Sequence, residues 1–202
     1  MSRGNGPDEM PDDNVDSPLI NDPLYVKGEI GHEAFPDVVT FHKIWNRARG
    51  DRFAPSWTDL GFLSFPSHMI PLIYLVDVER DPLRFRYRFI GTEICEFEGT
   101  NYTGRYVCDL TPKKLGEAAH NAFVSFVEDP QPTFFMMIGD ELADTPHMFR
   151  VYGGIRLPLS DDGKQVDQIL ALAQLEYDNR ELRKYFFTAA PDQAKRALAP
   201  DH

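Results

Sequence analysis

From residue 35 onward, apolar and polar positions recur with two periods, and each period predicts a kind of element. Between Pro36 and Gly50, Val38, Phe41, Trp45 and Ala48 share one helical face, with proline near the start and glycine at the stop. An amphipathic helix is predicted there. The stretch from Thr58 to Phe65 reads as a short helix capped by Thr58, and Pro66 to Pro71 as a connection. Residues 72–78 and 84–90 read as strands joined by the turn Glu79-Arg80-Asp81-Pro82, so an antiparallel hairpin is predicted. In its second strand Phe85, Tyr87 and Phe89 alternate with Arg84, Arg86 and Arg88, which places the rings and the guanidinium groups on opposite faces.

The middle of the chain is helical. Residues 91–97 suggest a short helix capped by Thr92, and a loop with Gly99 and Gly104 follows. Thr111 and Pro112 then open a longer helix whose buried stripe is Leu115, Ala119, Ala122, Phe123 and Phe126. Residues 133–139, 148–159 and 166–176 read as three more strands. The Asp162-Gly163 pair between the last two is a hairpin signal, so the sheet is antiparallel. Residues 179–187 look helical and 188–202 form a polar, flexible terminus.

Composition adds an acidic leader. Residues 1–34 hold eight acidic residues against Arg3 and Lys27, a net −6 of the chain's formal −11. Poor in apolar residues and rich in Gly, Pro, Asp and Asn, this segment is expected to be disordered. The expected organisation is a disordered acidic tail over 1–34, one domain over 35–187 and a flexible tail over 188–202. The acidic balance, without a basic stripe interleaved with aromatics, argues against direct nucleic-acid binding. No apolar stretch is long enough for a membrane helix and the first residues do not form a secretory signal, so a cytoplasmic location is expected. Cys95 and Cys108 lack metal-ligand spacing and are expected as buried free thiols.

The order of elements is α+β: helix, two strands, short helices and one longer helix, then three strands. Over residues 36–178 this order resembles the PAS fold, a five-stranded antiparallel sheet with a helical cradle between its second and third strands. The wording of the sequence supports the resemblance. The run Ile70-Pro-Leu-Ile-Tyr-Leu-Val-Asp77, the run Phe85-Arg-Tyr-Arg-Phe-Ile-Gly-Thr92, then Thr103-Gly104-Arg105 and Asp109-Leu110 resemble a bacterial family of stand-alone PAS proteins. In that family a tryptophan-bearing helix precedes a Pro-Ser pair, here Ile44-Trp45 and Pro55-Ser56. The resemblance implies a PAS-like sheet with helices on one face, plus the N-terminal amphipathic helix.

A sheet and cradle of this kind can enclose a concave apolar pocket. Phe85, Tyr87, Phe89, Phe123, Phe126, Phe135, Met137 and Tyr152 are its candidate lining, with ordinary core packing as the competing role. Arg86 and Arg88, with Arg84, are candidates for anion binding, against a solvated face paired with Asp77 and Glu79. By resemblance to haem-binding PAS relatives, His120 is the first candidate for a haem ligand, while His42 borders the apolar stripe of the first helix. The cysteine contexts Glu-Ile-Cys-Glu-Phe and Tyr-Val-Cys-Asp-Leu do not match a flavin-binding light sensor, and the cofactor stays unknown.

No Gly-x-Ser-x-Gly elbow, phosphate-binding loop, Rossmann fingerprint or kinase signature is present, so the chain is expected not to be an enzyme. Three functions remain open: a sensory module that binds a small molecule and signals to a protein partner, a ligand-free dimerisation scaffold, and an unrecognised enzyme. A homodimer is expected, with helix 36–49 as part of the contact and docking of that helix onto its own sheet as the alternative.

Overall fold

Six strands form one sheet, antiparallel throughout, in the order β1-β4-β5-β6-β2-β3. The computed structural model describes residues 24–28, 30, 34–111, 113–141, 149–175, 184, 185 and 188. The strands are β1 (Leu24–Gly28), β2 (Ile73–Glu79), β3 (Arg84–Ile90), β4 (Thr133–Glu141), β5 (Phe149–Leu159) and β6 (Gln168–Leu175). Among the described residues the α-helices α1 (Pro36–Arg49), α2 (Trp57–Leu60), α3 (Thr92–Glu98) and α4 (Lys113–Glu128) accompany them. Strands β2 to β6 and the helices between β3 and β4 have the arrangement that the PAS resemblance implied. Strand β1 adds a sixth, on the outer side of β4, within the segment expected to be a disordered tail. Residues 1–23, nearly all of 188–202 and most of the expected helix 179–187 lie outside the described residues.

The sequence pattern places helices on one face, whereas the sheet is covered on both. Strand β6 explains why. Its residues Ile169, Leu170, Ala171, Leu172 and Ala173 are all fully buried, as a strand must be when both of its faces are packed. On one face α1 sets Val38, Phe41 and Trp45 against Leu75, Ile155, Leu157, Leu170 and Leu172. On the other, α4 sets Ala119, Phe123 and Phe126 against Tyr74, Val76, Phe85, Phe135 and Ala171. The pleat sends neighbouring side chains to different layers, so Tyr74 and Leu75 sit one peptide apart in separate cores.

The apolar stripe of α1 is therefore used within its own chain. The Trp45 indole N–H also donates to the Pro158 carbonyl at 2.7 Å. That packing is the docking of the helix onto its own sheet. The cap of α2 is Ser56 rather than Thr58. The Ser56 hydroxyl accepts from the Asp59 amide at 3.3 Å and Asp59 accepts from the Ser56 amide at 2.9 Å, a reciprocal capping box. Helix α3 likewise starts after Gly91, and Thr92 makes no side-chain cap. Cys108 is exposed and Cys95 half-buried, against the expectation of two buried thiols.

One register change bears on the site. Leu75 pairs with Phe89, but Val76 pairs with Tyr87, leaving Arg88 as the extra residue of a β-bulge. The bulge inverts the facing of β3 on either side of it. Phe85 and Tyr87 face the α4 layer, whereas Phe89 packs in the α1 layer with its ring 4.6 Å from Phe62.

Candidate functional site

Between the sheet and the cradle of α3, the 99–110 loop and α4 lies a cavity of about 50 Å³. The sheet contributes Tyr74, Tyr87, Ile90 and Arg156. Ile94 and Glu98 come from α3, Thr100, Tyr102 and Leu110 from the loop, and Leu115, Ala119 and Phe123 from α4.

Local structure explains how the cradle holds its position. Gly99, in the left-handed region at φ 68°, ends α3 and turns the chain toward Tyr102. The loop then runs along the outer edge of β3: Gly104 donates to the Tyr87 carbonyl at 2.7 Å and Tyr87 donates to that of Arg105 at 2.9 Å. Those bonds extend the sheet and cover that edge. Gly116 lets α4 approach the turn Val107–Asp109, because a Cβ there would stand 2.9 Å from the Cys108 carbonyl oxygen.

Arg156 is the chemically distinctive wall residue. It sits on central strand β5, is 5% exposed, and its Nε–H donates to the Tyr74 hydroxyl at 3.2 Å. Its guanidinium carbon is 4.3 Å from the ring centre of Phe123 and 4.1 Å from that of Phe135. Ala171 is the register partner of both Tyr74 and Arg156, and its small side chain lets the two longer ones meet across the intervening strand. Arginine stays protonated in proteins, so the cavity wall carries a fixed positive charge in a poorly hydrated place. Aromatic contact offsets part of the desolvation.

Of the residues expected to line a pocket, Tyr87 and Phe123 line this one. Phe85 and Phe126 are buried in the same layer without reaching the cavity, and Phe85 packs 5.3 Å from Phe123. Phe135 lies beneath Arg156, and Phe89 is on the opposite face because of the bulge. Met137 and Tyr152 are register partners in β4 and β5, and their side chains lie outside the described ones.

The arginine row is a surface feature away from the cavity. Arg84 pairs with Glu79 at 2.9 Å, Arg86 with Glu79 at 3.0 Å and Asp77 at 3.3 Å, and Arg88 with Asp77 at 3.4 Å. His120 rests its edge on Phe85 at 5.3 Å and does not line the cavity. His42 stacks on Trp45 on the other face, where burial, with Arg49 nearby, pushes its imidazole below the usual range. Burial likewise raises the Cys95 thiol above the ordinary thiol range, which suppresses its nucleophilic form. Among the described residues no group of three or more His, Cys, Asp or Glu is placed to hold a metal ion, and no helix is long and apolar enough to cross a membrane.

Sequence reasoning missed Tyr74, Tyr102 and above all Arg156. A signal for the last was present, since Arg156 is a lone charge in the run Ile155-Arg-Leu-Pro-Leu159 of a strand otherwise apolar there. A charge in the interior of a central strand needs a reason.

No protein-family model matches the chain, and no curated protein matches it. A solved structure described as an RNA-binding light-oxygen-voltage receptor is similar over 86% of this chain, with 11% identity and a TM-score of 0.45. The chain spans 44% of that receptor's length.

Proposed function

We propose that the chain is a PAS-like sensory module that holds a small molecule between sheet and cradle and passes its occupancy to a protein partner. The observation that carries the reading is the buried Arg156 guanidinium in the wall of a mainly aromatic and aliphatic cavity, to which α3 and the loop after it add Glu98 and Thr100. Concave apolar sites with a few convergent polar groups are the usual small-ligand sites. The reading assigns no reaction to the chain, in keeping with the absence of a nucleophile or phosphate-transfer motif in its sequence. A partner would read the outer surface, where Leu63 is fully exposed beside the half-buried Phe62.

The small cavity volume favours a second reading, a ligand-free dimerisation scaffold, because drug-sized ligands occupy roughly 300 Å³ or more. Hydrogen exchange on the purified chain, with and without the small-molecule fraction of a cell extract, separates the two. The sensory reading expects slower exchange in α3, the 99–110 loop and α4 when the fraction is added. Unchanged exchange there, with only bare protein by native mass spectrometry, overturns it in favour of the scaffold.

A further inference from the structure

Arg156 and Tyr74 meet in a fixed direction, and one donor is left over. Arginine has no acceptor, so in the 3.2 Å contact its Nε–H gives and the Tyr74 hydroxyl oxygen receives. The hydroxyl keeps its own O–H, and among the described residues no oxygen or nitrogen accepts it. Tyr74 is 3% exposed and lines the cavity, so the acceptor has to be found there. Native proteins rarely leave a buried donor unpaired, because its desolvation is then uncompensated.

The cavity supplies room and further partners. A water takes about 30 Å³ in the liquid, so about 50 Å³ holds about two. Glu98, whose carboxyl oxygens accept, and Thr100, whose hydroxyl both accepts and donates, line the same cavity from the cradle side. Glu98 is engaged elsewhere as well, but a carboxylate has about four acceptor positions and can take another donor. One water bridges groups about 5.6 Å apart, and two in file bridge groups about 8 Å apart.

We infer that the cavity is a site for about two ordered waters, which accept from the Tyr74 O–H and donate to Glu98 and Thr100. The site goes beyond both readings above and holds under either. Its bonds run from Arg156 on β5 to Tyr74 on β2, then through water to Glu98 at the end of α3, with every donor facing the same way. Such a chain ties the cradle to the sheet through water alone. It also sets a condition on any molecule that displaces the waters. That molecule must bring an acceptor to Tyr74, since otherwise the donor is left unpaired.

The test is a crystal structure of the full chain that shows its ordered water, with magnetic relaxation dispersion of the solvent to count long-lived internal waters in solution. The expected result is a water about 2.5–3.0 Å from Tyr74 Oη, and a second within hydrogen-bond distance of it and of Glu98 or Thr100. Ala119→Leu fills the cavity and keeps every polar group of its wall, and is expected to lose about two waters from the dispersion. Should that variant not fold, Ala119→Val, which adds less volume, is expected to lose at least one. A cavity without water, a water out of reach of Tyr74, or a Tyr74 O–H donating directly to Glu98 overturns the inference. A water count unchanged in the folded variant overturns it as well. A larger molecule in the density also overturns it, while upholding the ligand-binding reading.

Discussion

The indole N–H of Trp45 donates to the Pro158 carbonyl across 2.7 Å, so α1 is joined to central strand β5 by a buried polar contact as well as by apolar packing. Trp45→Phe keeps an aromatic ring and leaves the carbonyl without that donor. Such a loss costs about 1–3 kcal/mol. The expected outcome is a lower urea midpoint with an unchanged slope, and an unchanged midpoint contradicts the role given to the contact. Deleting residues 1–50 exposes Ile155, Leu157, Leu170 and Leu172, which α1 covers, and is expected to give aggregated protein rather than a folded one of altered stoichiometry.

His42 makes stability depend on pH. Its folded-state pKa is depressed by burial and then by Arg49, so the folded form binds its proton less readily than the unfolded chain. The associated stability is present above the ordinary histidine pKa of about 6.5 and is lost as pH falls through the lower folded value. His42→Gln is expected to flatten the fall of the unfolding free energy as pH drops below about 6.5. An identical slope in the variant would sink the assignment.

At Gly116 two effects oppose. Alanine improves helix propensity by about 1 kcal/mol. An added Cβ, however, stands 2.9 Å from the Cys108 carbonyl oxygen, and that contact is with backbone. Overpacking of this kind costs about 1–3 kcal/mol, so Gly116→Ala is expected to destabilise. A thermal midpoint above wild type would show that the turn gives way easily.

Arg86→Ala and Arg88→Ala test the surface row. Both side chains are about half exposed and share Asp77, which also accepts from Gln168 at 2.8 Å. Each substitution is expected to change stability by less than about 1 kcal/mol and to do so less at high salt.

What was legible in the sequence was whatever depends on local period. The stripe of α4, the β2–β3 hairpin and the Asp162-Gly163 reversal are written within short windows. The bulge was not, because Arg88 becomes the extra residue only when β3 meets β2, and that single shift moved Phe89 out of the candidate pocket. The same limit hid Arg156, whose meeting with Tyr74 depends on Ala171 of a third strand. Other misses were readable. Ser56 with Asp59 three residues on is a capping-box spacing, and the unbroken apolar run of β6 signals burial on both faces. Strand β1 was obscured by its acidic surroundings.

The bulge at Arg88 also brings the two layers close together along the chain. Tyr87 touches the cavity, Phe89 presses on Phe62, and Leu63 next to it is open to water. From the cavity wall to an exposed apolar side chain the path is therefore a handful of residues rather than the width of the domain.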